Sequence, residues 1–176
     1  TLEGFAFFLE AIFLGLYLYG WERLSPRAHW LCGWPVAVSG AASAFFVVTA
    51  NAWMNQPRGF VMREGRVVDV APLAAMFNDA TPTMTAHMIL AAYVATGFTV
   101  AAVYAVGLLR GRRDGLHRKG LAVGLICGAA FIGPQIVAGD LIARMVARTQ
   151  PVKFAALEGQ WETERRAPLR LGGLPD

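Results

Sequence analysis

Apolar residues in this chain gather into four long runs separated by charged stretches. They do not alternate at the period of a surface helix or a half-buried strand. The runs cover about Leu2 to Trp21, Trp30 to Met54, Thr83 to Leu109 and Leu121 to Ala138. Each is long enough to cross a bilayer's hydrocarbon core as a helix. The third is the clearest, with about 27 residues free of Asp, Glu, Lys and Arg against the ~20 that a crossing needs. The order of runs and connections predicts an all-α polytopic membrane protein, its four transmembrane helices running up-down-up-down.

Finer punctuation sits on this frame. Ser39 to Ala44, SGAASA, offers small residues that let a neighbouring helix approach, and Gly120, Gly124 and Gly128 repeat at four-residue spacing as a close-packing face. Pro134 predicts a kink near the outer end of the fourth helix, with Gln135 and Asp140 serving freed backbone groups or water. Between the second and third runs, Pro72 to Phe77 reads as one short surface helix. Pro82 stands just ahead of the third run, where helix starts favour proline. After Asp140 the chain turns charged and largely leaves the membrane. There Phe154, Leu157 and Trp161 are spaced as one apolar helix face.

Composition agrees. The 176 residues are 56% hydrophobic and 16% charged, well below the roughly one quarter charged in a soluble domain. The first residue is Thr, and the opening run has neither a basic flank nor a cleavage pattern. The chain therefore reads as the middle of a longer protein rather than one beginning with a signal peptide. Cys32 and Cys127 sit in apolar runs, far from metal-ligand spacing, and read as spectator thiols. The net charge of +4 is spread through the loops, which points to membrane topology and away from nucleic acid. Arg23 and Arg27 follow the first run, and Arg110, Arg112, Arg113, Arg118 and Lys119 crowd the third connection. The positive-inside rule puts those loops in the cytoplasm, and Asn55 to Ala80 with everything after Asp140 outside.

Few residues here can do chemistry. His87 has apolar sequence on both sides, and an ionisable group at that depth needs a hydrogen bond, a charge or a metal. Thr83, Ala86 and Ala91 are small neighbours that leave room for a flat ligand over its imidazole. Glu3 and Glu10 are seven residues apart, two helical turns, and so share a face about 10 Å apart along the axis. Such a pair suits a proton relay, a cation site or a haem environment. His29 and His117 lie beside arginines and read as solvated loop residues, and Met54 reads as an interfacial packing residue. A proton- or cation-conducting transporter fragment using Glu3 and Glu10, with His87 as a relay, and a haem-free structural subunit held together by His87 remain alternatives at this level.

Four strings narrow the choice: LEGFAFFLEAIFLGLYLYGW, SGAASAFFVVTANAWMNQP, the run around His87, and KFAALEGQWET. In this order they closely resemble subunit I of the cytochrome bd-type ubiquinol oxidases, from its third to sixth transmembrane helices into the quinol loop. The resemblance implies that the four helices are part of a larger bundle, with residues 1–140 its transmembrane region and 141–176 an outward-facing quinol-loop segment. It implies that His87 is the axial ligand of the low-spin haem b. Glu3, Glu10 and Ser43 would serve proton delivery beside a high-spin haem b and a haem d or substituted haem b, with Glu3 in contact with the high-spin site. Lys153 and Glu158 would bind quinol. The implied activity is a terminal quinol oxidase: quinol is oxidised outside, electrons pass through the low-spin haem, and O2 is reduced to water with cytoplasmic protons. A second oxidase subunit and small accessory subunits are the implied partners in the bacterial cytoplasmic membrane, with residues 110–120 cytoplasmic. Ala11 stands where some members carry a serine. The remaining haem ligands fall outside the segment, so this stretch alone is not expected to be active.

Overall fold

The computed structural model describes residues 2–166. Four long helices dominate: α1 (Leu2–Tyr19), α2 (Pro26–Asn55), α4 (Thr81–Leu109) and α5 (Gly115–Thr149). All four are long and apolar enough to cross a membrane. Between α2 and α4 lie a two-stranded hairpin, β1 (Val61–Arg63) and β2 (Arg66–Val68), and a one-turn helix α3 (Pro72–Met76); α6 (Pro151–Leu157) follows α5. The chain divides into two compact units, Thr1–Ile89 and Leu90–Asp176, so α4 contributes its first turns to one and the remainder to the other.

In the first unit, α1 and α2 pack as an antiparallel hairpin. Ser25 starts α2: its hydroxyl accepts the Ala28 N–H at 3.3 Å, and Pro26 occupies the first turn, where a missing N–H costs nothing. The apolar side chains of α1 face mostly outward, with Phe5 and Phe8 each 71% exposed. A helix carrying such groups is stable only against lipid or further helices. The α2–α4 connection is tied down locally. Asn78 is buried, and its Oδ1 accepts the N–H groups of Ala80 and Thr81 at 2.9 and 3.2 Å, capping the start of α4. Arg58 pairs with Asp79 at 2.6 Å, and the Trp53 indole donates to the Arg58 carbonyl at 3.0 Å. Gly59, at φ 82°, is needed twice over. It adopts a left-handed backbone, and a Cβ there would lie 2.7 Å from both the Ala71 oxygen and the Ala75 nitrogen of the α3 segment.

The hairpin was not anticipated. Glu64 and Gly65 have φ of 50° and 74°, the pair of positive angles that a tight two-residue turn requires, and Arg63 pairs with Arg66 across it. Glu is a rare first residue for such a turn, which hid the signal.

In the second unit, the predicted glycine face of α5 meets α4 backbone to backbone. A Cβ on Gly97 would fall 2.4 Å from the Gly128 nitrogen, and one on Gly124 would fall 2.6 Å from the Ala101 nitrogen. On the same seam the Tyr104 ring covers Gly120, and Tyr93 stacks on Phe131 with ring centroids 4.6 Å apart. Two expectations for this unit are corrected. The fourth membrane helix, α5, does not stop at about Ala138 but runs from Gly115 to Thr149 with Pro134 inside it, since membrane helices absorb a proline once the freed carbonyl finds another partner. Asp140 therefore lies within the helix, where it accepts from the Arg144 guanidinium at 2.7 Å, one turn on. The apolar face of the tail is not built either. α6 stops at Leu157, so Trp161 lies beyond it, and both side chains are exposed.

Candidate functional site

Glu3 and Glu10 both lie on α1, Glu3 in its exposed first turn and Glu10 half-buried. Glu10 faces Gly40 of α2: a Cβ built on Gly40 would lie 3.4 to 3.7 Å from the atoms of the Glu10 carboxyl group. Glycine thus leaves the carboxyl group one methyl's width of space against the neighbouring helix. Ser43 sits half-buried three residues after Gly40, about one turn further along α2. Ser39 lies one residue before Gly40. It is buried, and its hydroxyl donates to the Pro35 carbonyl at 2.5 Å, a partner within its own helix.

His87 occupies the second turn of α4 and is half-buried. In the same stretch the Thr85 hydroxyl oxygen is buried without a hydrogen-bond partner. Glu3, Glu10, Ser43 and His87 thus fall in the first unit, and Lys153 and Glu158 in the second. Lys153 lies on α6 and Glu158 caps its C-terminus, both exposed. The next residue, Gly159, is buried at φ 68°, and the Gly159 and Gln160 N–H groups return to the Ala156 and Ala155 carbonyls at 3.3 and 2.8 Å. That pair of bonds is a Schellman stop. The Glu158–Gly159–Gln160 string thus has a backbone reason as well as a chemical one.

The two remaining histidines are not solvated loop residues. His29 is in α2, buried to 8% exposure, and its Nε2–H donates to the Tyr17 carbonyl of α1 at 2.8 Å. Its ring lies 4.5 Å from that of Tyr17 and 4.3 Å from that of Trp21, so it fills an aromatic slot between the helix ends. His117 lies in the first turn of α5, where its Nδ1–H donates to Asp114 at 2.8 Å and its ring covers Gly107 of α4. The Asp114 carboxyl also accepts the His117 N–H at 2.9 Å as the α5 cap. Its pKa is held below the ordinary carboxylate value, first by the side-chain bond to His117 and then by the backbone one. Sequence neighbours suggested solvent; the helix starts and the opposing helices decided otherwise.

A haem brings its iron in a porphyrin and asks the protein for one or two axial side chains. A half-buried imidazole on a membrane helix meets that demand. Among the described residues, no group of three or more His, Cys, Asp or Glu is arranged to hold a bare metal ion. His87 is a side chain of the type a haem would take as an axial ligand.

Four helices long and apolar enough to cross a membrane, with three histidines and three acidic residues among them, define a polytopic helical membrane protein. The family model for cytochrome bd terminal oxidase subunit I matches residues 1–176, and the chain belongs to that family. It is 36% identical to a putative cytochrome bd menaquinol oxidase subunit I of Bacillus subtilis, over 99% of this chain and 40% of that protein. It is also 36% identical to the cytochrome bd-II ubiquinol oxidase subunit 1 of Escherichia coli, over 97% of this chain and 34% of that protein. Among solved structures, the bd oxidase of Geobacillus thermodenitrificans superposes with a TM-score of 0.85 at 42% identity, covering 96% of this chain and 39% of that one. The chain thus spans about two fifths or less of the relatives it matches.

Proposed function

We propose that this chain is the part of a quinol:oxygen oxidoreductase subunit that receives electrons from quinol and guides protons toward the oxygen-reducing site. The observation that carries the reading is His87, a half-buried imidazole on an otherwise apolar membrane helix, within a chain matched end to end by the subunit I family. His87 holds the low-spin haem b through a ring nitrogen. The bound groups (two haems b and a haem d or substituted haem b) supply one-electron carriage and the reduction of O2 to water.

The chain's own residues do the rest. Glu10, with Gly40 opposite it, takes up and releases protons on the α1–α2 hairpin; Glu3 extends that route by two helical turns, and Ser43 lines it. Lys153 and Glu158 bind the quinol headgroup, the ammonium as donor and the carboxylate as acceptor, on a short helix whose end Gly159 fixes. The arginine-rich connection at residues 110–120 lies in the cytoplasm and residues 141–176 outside. Quinol oxidation outside, with proton uptake from the cytoplasm, then separates charge without a pumping channel. The setting is a bacterial cytoplasmic membrane, with a second oxidase subunit and accessory subunits as partners.

Reduced-minus-oxidised spectra of membranes carrying the complete protein, wild type against His87→Ala, test this. Loss of the low-spin b band with the complex still assembled is the expected result. An unchanged spectrum removes His87 from the haem and leaves the carboxyl groups of α1 as the functional signal.

A further inference from the structure

We infer that the tip of the α4–α5 hairpin is a binding site for anionic phospholipid. Two grooves flank the end of α4. One, of about 490 Å3, is lined by Val103, Tyr104 and Val106 of α4, by Arg110 and Arg112 beyond its end, and by His117 of α5. The other, of about 560 Å3, is walled by Leu108, Leu109 and Leu121, with Arg113 and Arg118 at its lip. Each therefore joins a largely apolar stretch of the helices to a pair of guanidinium groups at the hairpin end, the order in which a phospholipid passes from acyl chain to phosphate.

Charge complementarity selects the occupant. The connection carries Arg110, Arg112, Arg113, Arg118 and Lys119 against the single acid Asp114. Asp114 is engaged by His117 rather than by any of these cations: its carboxyl oxygens lie 2.8 and 2.9 Å from the His117 Nδ1 and also cap the helix. The arginine heads are exposed, so a zwitterionic headgroup gains little there while a net anionic one gains Coulomb attraction and bidentate hydrogen bonds. A surface-directed basic residue near anionic lipid is worth about a five-fold change in partition. Arg110, Arg112 and Arg113 follow α4 directly and Arg118 sits in the first turn of α5, and the turn between the helices carries Gly111 at φ 88° and the Asp114 cap. The inference does not depend on quinol oxidation or on the haems.

The test uses the complete oxidase complex in phosphatidylcholine bilayers carrying spin-labelled phosphatidylglycerol or spin-labelled phosphatidylcholine, with the motionally restricted fraction of each read by electron spin resonance. Wild type should restrict phosphatidylglycerol several-fold more than phosphatidylcholine. The Arg110→Gln, Arg112→Gln double variant should lose about five-fold or more of that preference, as should the Arg113→Gln, Arg118→Gln pair. Arg66→Gln, in the exposed β-hairpin, should leave it unchanged, and the unaltered b-haem spectrum certifies assembly in each variant. Equal restriction of the two lipids by wild type overturns the inference, and so does a preference that survives both double variants. Displacement of the labelled lipid by millimolar inorganic phosphate also overturns it, in favour of a free-anion site.

Discussion

Gly97 on α4 and Gly128 on α5 touch through their backbones: a methyl group on Gly97 would lie 2.4 Å from the Gly128 nitrogen and 2.6 Å from its Cα. Nothing in that contact can swing aside, because the opposing atoms are main chain. Gly97→Ala must therefore push the two helices apart along a seam that also carries Gly124, Ala101 and the Tyr93–Phe131 stack. Overpacking of this kind costs about 1–3 kcal/mol. The thermal midpoint of the purified complex should fall, and Gly15→Ala, in open space on α1, should leave it unmoved.

Gly40 sets a gentler limit beside Glu10. Alanine there makes ordinary contact with the carboxyl group at 3.4 Å, whereas a larger side chain must displace it. Gly40→Ala should retain oxygen consumption close to wild type, and Gly40→Leu should slow it several-fold with the low-spin haem spectrum intact. Equal activity in both variants would detach Glu10 from the proton route.

His29 is a structural residue despite its chemistry. His29→Ala removes the bond to the Tyr17 carbonyl and both ring contacts, a loss of about 2 kcal/mol. Thermal unfolding of the complex should register it, while the quinol KM stays constant.

Gly159 ends α6 in a left-handed conformation that other L-residues adopt at a cost of about 1 kcal/mol. Gly159→Ala should fray the turn carrying Glu158 and raise the quinol KM more than it lowers kcat. Gly159→Asn, which tolerates that conformation better, should recover part of the loss. A KM unchanged in both variants would separate Glu158 from quinol binding.

Asp114 gives a pH dependence of definite sign. Its carboxyl group titrates below the ordinary value in the folded protein because its bonds to His117 favour the charged form. The stability it lends to the start of α5 is therefore complete above the unfolded carboxylate pKa of about 4 and is lost as pH falls through the lower folded value. Hydrogen exchange at the His117 amide should be slower in wild type than in Asp114→Asn at neutral pH. The difference should close only in that acidic window.

The membrane helices were legible because insertion responds to local hydropathy, which any stretch of about 20 residues carries within itself. The start of α4, the glycine face on α5 and the isolation of His87 in an apolar run were readable for the same reason, each being a property of one helix. Partnership was not. That Gly97 opposes Gly128, that Glu10 faces Gly40 and that His29 fills a slot between Tyr17 and Trp21 depend on which residues distant in sequence meet, and helical periodicity leaves that register open. The ends of α5 and α6 were misjudged because backbone hydrogen bonding, not hydropathy, sets them. α5 carries Pro134 and runs on into its polar final turns, while a glycine at positive φ stops α6 before Trp161 can join its apolar face. Composition alone determined that this chain lives in a membrane as helices; close approach of backbones in three dimensions decided which side chains were left with space, a partner or a charge to answer.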